Sequence, residues 1–218
     1  MVISLQRAGS SESIELRPSK IIGIGVNFRA HAVEMGKGLP AQPLMFLKPC
    51  SAVIGHGGEI ERPMAYERVD YEGELGVVIG TRTRRIPHER ALDAVMGFVC
   101  VNDVTVRDLQ KSDGQWSRAK GFDTFCPIGP RIVAGLDPAR LAIQTRVNGE
   151  LRQSSSTSDL IFDVPTLIAF VSEHMTLEEG DIISTGTPSG VGNLAPGDVV
   201  AVEIEGIGVL ENRVIARP

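Results

Sequence analysis

Apolar residues in this chain come in short bursts broken by glycine, proline and acids. Ile21–Gly25, Leu44–Leu47, Ser51–Ile54, Phe98–Asp103, Gly180–Gly186, Asp198–Glu205 and Val209–Ile215 all have the length and composition of strands, the last two joined around Gly206-Ile-Gly208. Val2–Leu5 and Ser13–Leu16 read as a small hairpin around Gly9-Ser-Ser. Asp70-Tyr-Glu72-Gly-Glu74 runs into the wholly apolar Leu75–Ile79 and reads as one buried strand. Three segments carry helical signals instead. Asn27–Met35 is about two turns long and ends at Gly36-Lys-Gly38, with Pro40 and Pro43 beyond. Ile86–Met96 has Pro87 at its first position and Gly97 at its end. Pro165–Met175 follows Asp163 and keeps Leu167, Ile168 and Val171 on one side. Strands outnumber helices and do not alternate with them, which predicts an α+β fold with mixed strands and few short helices. No repeat, low-complexity tract or long linker interrupts the pattern. One domain over residues 1–218 is expected, with residues 1–19 as a small N-terminal strand segment.

The acids inside these apolar runs change the picture. Residues i and i+2 of a strand face the same way, so Glu72 and Glu74 project in parallel, with Cα atoms about 6–7 Å apart. Two carboxylates about 5 Å apart repel by roughly 3 kcal/mol at an effective dielectric near 20, before any cost of burial. A third acid, Asp103, ends the apolar run Phe98–Asn102. Three carboxylates without His or Cys make a hard oxygen site suited to Mg²⁺ or Mn²⁺. The alternative is an exposed edge strand. The one-sided apolar tail and the independent acid at Asp103 favour the metal.

Other candidate chemistry lies nearby in sequence. His31 and Glu34 are i and i+3 on the first helix, a spacing that lets a carboxylate orient an imidazole as a general base. The glycines around that short helix suit a lid. Arg107 and Lys120 offer the positive charge that an anionic substrate needs beside an acidic site, and Lys120 lies in a stretch rich in aromatic and small residues. Thr185-Gly-Thr-Pro-Ser-Gly-Val-Gly192 can present backbone N–H groups to a carboxylate, which makes Gly186 and Thr187 candidate substrate contacts; the alternative is a tight turn. Gly23-Ile-Gly25 makes a poor dinucleotide fingerprint, and Cys126 has no base beside it in sequence.

Composition narrows the classes. With 22 Lys and Arg against 27 Asp and Glu the formal charge is −5, and only 5% of residues are aromatic, so no basic or stacking surface for nucleic acid is expected. No apolar run reaches membrane-spanning length. The N-terminus lacks the basic start and long apolar segment of a secretion signal, and three cysteines without ligand spacing read as buried thiols, so a cytoplasmic location is expected.

In order along the chain, Asn27-Phe28 with His31 and Glu34, Phe46-Leu-Lys-Pro49, Asp70-Tyr-Glu-Gly-Glu-Leu-Gly76, Asn102-Asp-Val-Thr-Val-Arg-Asp108, Ala119–Pro130, Val147-Asn-Gly-Glu150 and Thr185–Gly192 resemble the fumarylacetoacetate hydrolase family, in the form of its small single-domain bacterial-type members. The match begins near Lys20. The resemblance implies a mixed β-roll, a homodimer, and Mg²⁺ or Mn²⁺ held by Glu72, Glu74 and Asp103. It implies that Lys120 stabilises an enolate or oxyanion and that His31 and Glu34 act from a lid. Asn27, Arg107, Gly186 and Thr187 are the expected substrate contacts. Family members act on 2-oxo acids. Hydrolysis of acylpyruvates such as fumarylpyruvate or acetylpyruvate is the reading favoured by the His31/Glu34 pair. Oxaloacetate-type decarboxylation and isomerisation of 2-hydroxyhepta-2,4-diene-1,7-dioate are the alternatives, and an inactive metal-stabilised binding module is the non-enzymatic one. Many members carry Arg or Leu at the position of Val26 and Tyr at that of Phe28. These two departures bear on how a distal substrate carboxylate is recognised.

Overall fold

The computed structural model describes residues 2–10, 12–34, 36 and 38–217. Among these residues strands dominate, as the apolar bursts predict, in a mixed α+β fold of three hydrogen-bonded sheets. The largest has nine strands. Its order is Ser13–Leu16, Ile3–Arg7, Cys126–Val133, Val95–Asn102, Gly73–Ile79, Ile182–Ser184, Ile21–Gly25 and Leu44–Lys48, with Val53–Ile54 added beside Cys126–Val133. It is mixed: Ile182–Ser184 runs parallel to Ile21–Gly25 and antiparallel to Gly73–Ile79. The N-terminal hairpin is built into its edge through a parallel pairing of Gln6 and Arg7 with Arg131 and Ile132. A five-stranded sheet holds Glu150–Ser156, Ala142–Val147, Val199–Ile204, Gly208–Arg217 and Glu59–Pro63 in that order. A small third sheet pairs Thr105–Val106, Val69–Tyr71 and Gly192–Asn193.

Alternation along the central strands divides the core. Leu75, Val77, Ile79, Phe98 and Cys100 face the five-stranded sheet, meeting Ile143, Val202, Ile204 and Leu210. Val78, Val99 and Val101 face the opposite side, with Ile21, Ile128 and Ile182. Among the described residues the four α-helices are short: α1 Arg29–Glu34, α2 Arg107–Ser112, α3 Ser117–Lys120 and α4 Val164–His174. Asp163 caps α4 by accepting from the Thr166 N–H, and Leu167, Ile168 and Val171 bury in the first core, as their spacing predicts. Met35 and Lys37, at the far end of the expected first helix, and Ser11, in the expected N-terminal turn, lie outside the described residues.

Several local expectations give way to tertiary pairing. Ile86–Met96 is not an α-helix: His88–Ala94 forms a 3₁₀ segment and Val95 already begins a strand. Val95 pairs with Ile79, so the ladder claims residues that the helical pattern assigned to a last turn. Gly97 accordingly lies inside that strand, opposite Val78. Ser51–Ile54 is half 3₁₀ turn, Cys50–Ala52, and half strand. Gly180–Gly186 narrows to Ile182–Ser184. The strands Glu59–Pro63, Cys126–Val133, Ala142–Val147 and Glu150–Ser156 and the helices α2 and α3 lack periodicity strong enough to announce them.

The change that matters most falls at Glu72. The expected single strand Asp70–Ile79 is two strands, Val69–Tyr71 and Gly73–Ile79, with Glu72 at the break. Its neighbour breaks at the same level, between Asn102 and Thr105. Gly73 still pairs with Asn102 in the large sheet, whereas Asp70 pairs with Thr105 in the small one. Between these pairs the Glu72 N–H donates to the Asn102 side chain at 3.0 Å, and the Asp103 N–H donates to the Glu72 carbonyl at 2.8 Å. Two adjacent strands thus pass from one sheet to another side by side, and the crossing carries the acids.

Candidate active site

The break frees Glu72 and Asp103 from a flat sheet surface and turns them toward Glu74. One carboxylate oxygen from each of the three lies within 4.8 Å of the others, and all three residues are buried. The structure therefore brings together the three acids expected to hold a metal. Their donors are oxygen only, gathered away from solvent, which fits a hard dication such as Mg²⁺ or Mn²⁺. Close backbone packing shapes the cluster. A Cβ at Gly73 would stand 2.1 Å from the Thr145 hydroxyl, so glycine here lets the five-stranded sheet press against the site. Gly186, at φ +99°, has its Cβ direction blocked by Asn27 at 2.8 Å, and its N–H donates to Glu74 Oε2 at 2.8 Å. The Ser184 hydroxyl donates to the same oxygen at 2.5 Å.

Cations are threaded between the acids. The Lys120 ammonium, itself buried, donates to Glu72 at 2.9 Å, to Asp103 at 2.5 Å and to the Thr105 hydroxyl at 2.8 Å. It also lies over the Phe46 ring, 4.7 Å from the centroid. Lys48 donates to the other Asp103 oxygen at 2.5 Å. Arg107 donates to Glu72 at 2.5 Å and to Asp70 at 2.8 Å, and Arg68 donates to the far oxygen of Asp70 at 2.9 Å. The result is an alternating chain of charge from the sealed floor at Lys48 to the half-exposed Arg68. Glu74 stands beside it, held by neutral donors. This difference sets the acidities. Burial, with Asp103 and Glu72 close by, pushes the Glu74 carboxyl up to about 8. Burial acts the same way on Glu72, but Lys120 and Arg107 outweigh it and hold that carboxyl well below the usual range. Burial works against the Lys120 charge, and Asp103 and Glu72 overcome it, so its affinity for the proton rises.

Above the floor, α1 brings His31 and Glu34 over the cluster. His31 Nδ1 is 2.9 Å from Glu34 Oε2, and the Gly190 N–H donates to Glu34 Oε1 at 3.2 Å. The helix is tied down at its start by Arg29 on the Leu160 carbonyl at 2.6 Å and by Asp159 on the Ala30 N–H at 3.2 Å. A cavity of about 530 Å³ opens outward, lined among others by His31, Glu34, Arg68, Arg107, Lys111 and Trp116. A narrower space beneath it reaches Glu72, Glu74, Lys120 and Thr187 and shares His31, Arg107 and Trp116 with the outer one. Val26 lines the narrow space with φ +56°, a strained conformation for a β-branched residue.

Two of the expected substrate contacts do structural duty. Asn27 is fully buried; its amide donates to the Phe162 and Thr185 carbonyls and accepts from the Phe162 N–H, clamping the strand end before α1 to two loops. Gly186 serves Glu74, as described. The Thr187 hydroxyl donates to the Gly73 carbonyl at 2.9 Å and accepts from Gln153 at 2.8 Å, while still lining the narrow space. Arg107 both holds Glu72 and lines the cavity. Lys48, Arg68, Asp70, Gln110 and Ser184 were not singled out from the sequence. Lys48 had a usable signal, a lysine closing the strand-like run Leu44–Leu47.

A mixed β fold with a buried cluster of oxygen donors at the foot of a cavity, a cation among them and an imidazole–carboxylate pair above, defines a donor set that could hold a hard dication beside a cavity lined partly by cations. The chain belongs to the fumarylacetoacetate hydrolase family: the family model described as fumarylacetoacetate hydrolase C-terminal matches residues 20–215. The oxaloacetate tautomerase YisK of Bacillus subtilis is 49% identical over 212 residues, covering 91% of this chain and 70% of that protein. The 5-carboxymethyl-2-hydroxymuconate delta-isomerase of Mycobacterium smegmatis superposes with a TM-score of 0.88 at 46% identity, over 93% of this chain and 78% of the other. Fumarylpyruvate hydrolase of Pseudomonas aeruginosa, solved in complex with Mn²⁺ and pyruvate, superposes with a TM-score of 0.91 at 33% identity, over 99% of this chain and 97% of the other. Members of the family are enzymes, and the activities named among these relatives differ.

Proposed function

We propose that this protein is a divalent-metal-dependent enzyme that moves a proton next to the keto group of a small 2-oxo acid, and that keto–enol interconversion of an oxaloacetate-type acid is its reaction. The observation that carries this reading is that Glu72 and Glu74 of the acid cluster, Lys120 and His31 line one narrow space, with Glu34 holding His31 from the outer cavity above. The name of the 49%-identical tautomerase supports the choice of reaction. Glu72, Glu74 and Asp103 would hold Mg²⁺ or Mn²⁺. Such an ion supplies Lewis-acid polarisation of a substrate carbonyl, worth several kcal/mol.

The chain's own groups account for the rest. Glu34 holds His31 through Nδ1, which leaves Nε2 as the nitrogen that takes a proton from the carbon beside the carbonyl and returns it to oxygen or carbon. Positioned proton transfer of this kind contributes roughly 10²–10⁴-fold. Lys120 carries a fixed positive charge in a water-poor site, where it stabilises negative charge developing on the substrate oxygen. Its three acceptors hold the ammonium in place before the substrate arrives.

The hydrolytic reading expected from the sequence is the second. The same His31 nitrogen can activate a water against an acylpyruvate, and the structural likeness to fumarylpyruvate hydrolase favours it. One panel separates them. Purified protein loaded with Mg²⁺ or Mn²⁺ is given oxaloacetate, acetylpyruvate and fumarylpyruvate, following enol absorbance and pyruvate release, with Glu72→Gln alongside. Rapid equilibration of oxaloacetate without pyruvate release is expected. Pyruvate release from an acylpyruvate would replace the first reading by the second. Full activity in a chelator would sink both.

A further inference from the structure

The alternating chain of charge in the site ends on a cation at each end, and the two ends differ. Lys48 is sealed, with no exposed side-chain surface, whereas the Arg68 side chain is 51% exposed and lines the outer cavity. Arg68 spends only Nε on Asp70; among the described residues its two terminal nitrogens make no hydrogen bond. Asp70 is shared with Arg107, so one carboxylate serves two guanidiniums, and the Glu34 carboxylate that lines the same cavity is engaged by His31 and the Gly190 N–H. The backbone beneath is held firmly. The Asp108 carboxylate accepts from the N–H groups of Glu67 at 2.9 Å and Arg68 at 3.1 Å, and the Arg68 carbonyl accepts from the Arg107 N–H at 2.9 Å. On α2, Lys111 lies four residues after Arg107, hence on the same side, and it lines the same cavity. At the position of Val26, where an arginine of the narrow space could meet an anion, this chain has an apolar side chain.

We propose that Arg68, assisted by Lys111, forms an anion subsite at the cavity mouth that takes the distal carboxylate of a 2-oxo dicarboxylic acid. The subsite rests on the 2-oxo acid reading given above and assigns to named residues the recognition of the second carboxylate that an oxaloacetate-type acid carries. An arginine suits this task because its planar fork meets a carboxylate with two parallel hydrogen bonds. Asp70 fixes Nε and so aims the two terminal nitrogens, which makes Asp70 a positioning residue for Arg68 as well as a brace for Arg107.

The test uses Mn²⁺-loaded protein and its single tryptophan, Trp116, whose ring lines both the outer and the narrow space, so its fluorescence reports ligand entry. Pyruvate is titrated against the 2-oxo diacids of four, five and six carbons in wild type, Arg68→Gln, Arg68→Lys and Lys111→Gln. Expected are tighter binding of at least one diacid than of pyruvate in wild type, a loss of at least tenfold for that diacid in Arg68→Gln, partial rescue in Arg68→Lys, a smaller loss in Lys111→Gln, and pyruvate affinity within twofold throughout. Retained pyruvate binding also shows that the variants are folded. Equal affinities of Arg68→Gln and wild type for every diacid, or a matching loss for pyruvate, overturn the subsite while leaving the 2-oxo acid reading intact. Failure of wild type to bind pyruvate at all overturns that reading and the subsite with it.

Discussion

The floor and the mouth of the cavity are built on opposite principles. At the floor, Glu72, Asp103, Lys48 and Lys120 are buried, and each is locked by hydrogen bonds to a partner of opposite charge. At the mouth, Glu34 is 41% exposed on its side chain, Arg68 51%, and each is held by few contacts. A buried charge that loses its partner costs several kcal/mol, so the floor tolerates little change. A half-exposed pair contributes roughly 0–1 kcal/mol, so the mouth can be altered without endangering the fold. This division matches a family whose named members share an architecture and differ in reaction.

The sharpest way to break the comparison is at the acids. Glu74→Gln should lower Mn²⁺ affinity by more than the roughly 10–100-fold typical of residues standing behind a ligand, measured calorimetrically; an unchanged affinity would remove Glu74 from the metal site. Lys48→Met comes next. It leaves an Asp103 oxygen buried and unpaired, and should cost about 3 kcal/mol in denaturant unfolding of the metal-free protein. Arg68→Gln, at the mouth, should cost well under 1 kcal/mol in the same assay. Equal costs would erase the distinction between the two regions. Third, His31→Ala should reduce kcat about 100-fold while Mn²⁺ affinity holds; loss of both would give His31 a structural part in the floor.

A gentler probe is pH. The Glu74 carboxyl, pushed up from its ordinary 4.5 to about 8 by burial and its acidic neighbours, keeps its proton at neutral pH in the folded metal-free protein. The stability this provides is fully present below pH 4.5 and is lost as pH rises toward 8. Metal-free melting temperature should therefore drift down across that window on Glu74's account, and Glu74→Gln should flatten the drift. Stabilisation by Mn²⁺ should grow over the same window, since binding releases the proton; a metal effect independent of pH would contradict this. The smallest effect concerns Cys126, behind the floor, whose thiol burial pushes up to about 12. Native protein should resist alkylation there at neutral pH, as read by mass spectrometry.

Much of the site was legible because its chemistry is local in sequence. Glu72 and Glu74 announce themselves as acids before an apolar run, and His31 and Glu34 lie one helical turn apart. What escaped is long-range. Lys48 meets Asp103 across 55 positions, and Ser184 meets Glu74 across 110, so neither contact leaves a mark on the residues between. The helix expected over Ile86–Met96 failed for a related reason: Val95 had a ladder partner in Ile79, and pairing outweighed local periodicity.

By itself, then, the sequence determined the strand-rich class of the fold, the identity of the buried acids and their need for positive charge, because side-chain alternation and desolvation act over neighbouring residues. Only the tertiary structure decided how that need is met. It broke the expected strand at Glu72 where two neighbouring strands change sheets, gave Glu72 two cations and Glu74 none, and turned Asn27 and Gly186 into braces. Those outcomes depend on which distant segments pack against the break, and Coulomb and hydrogen-bond energies follow distance in space, whatever the separation along the chain.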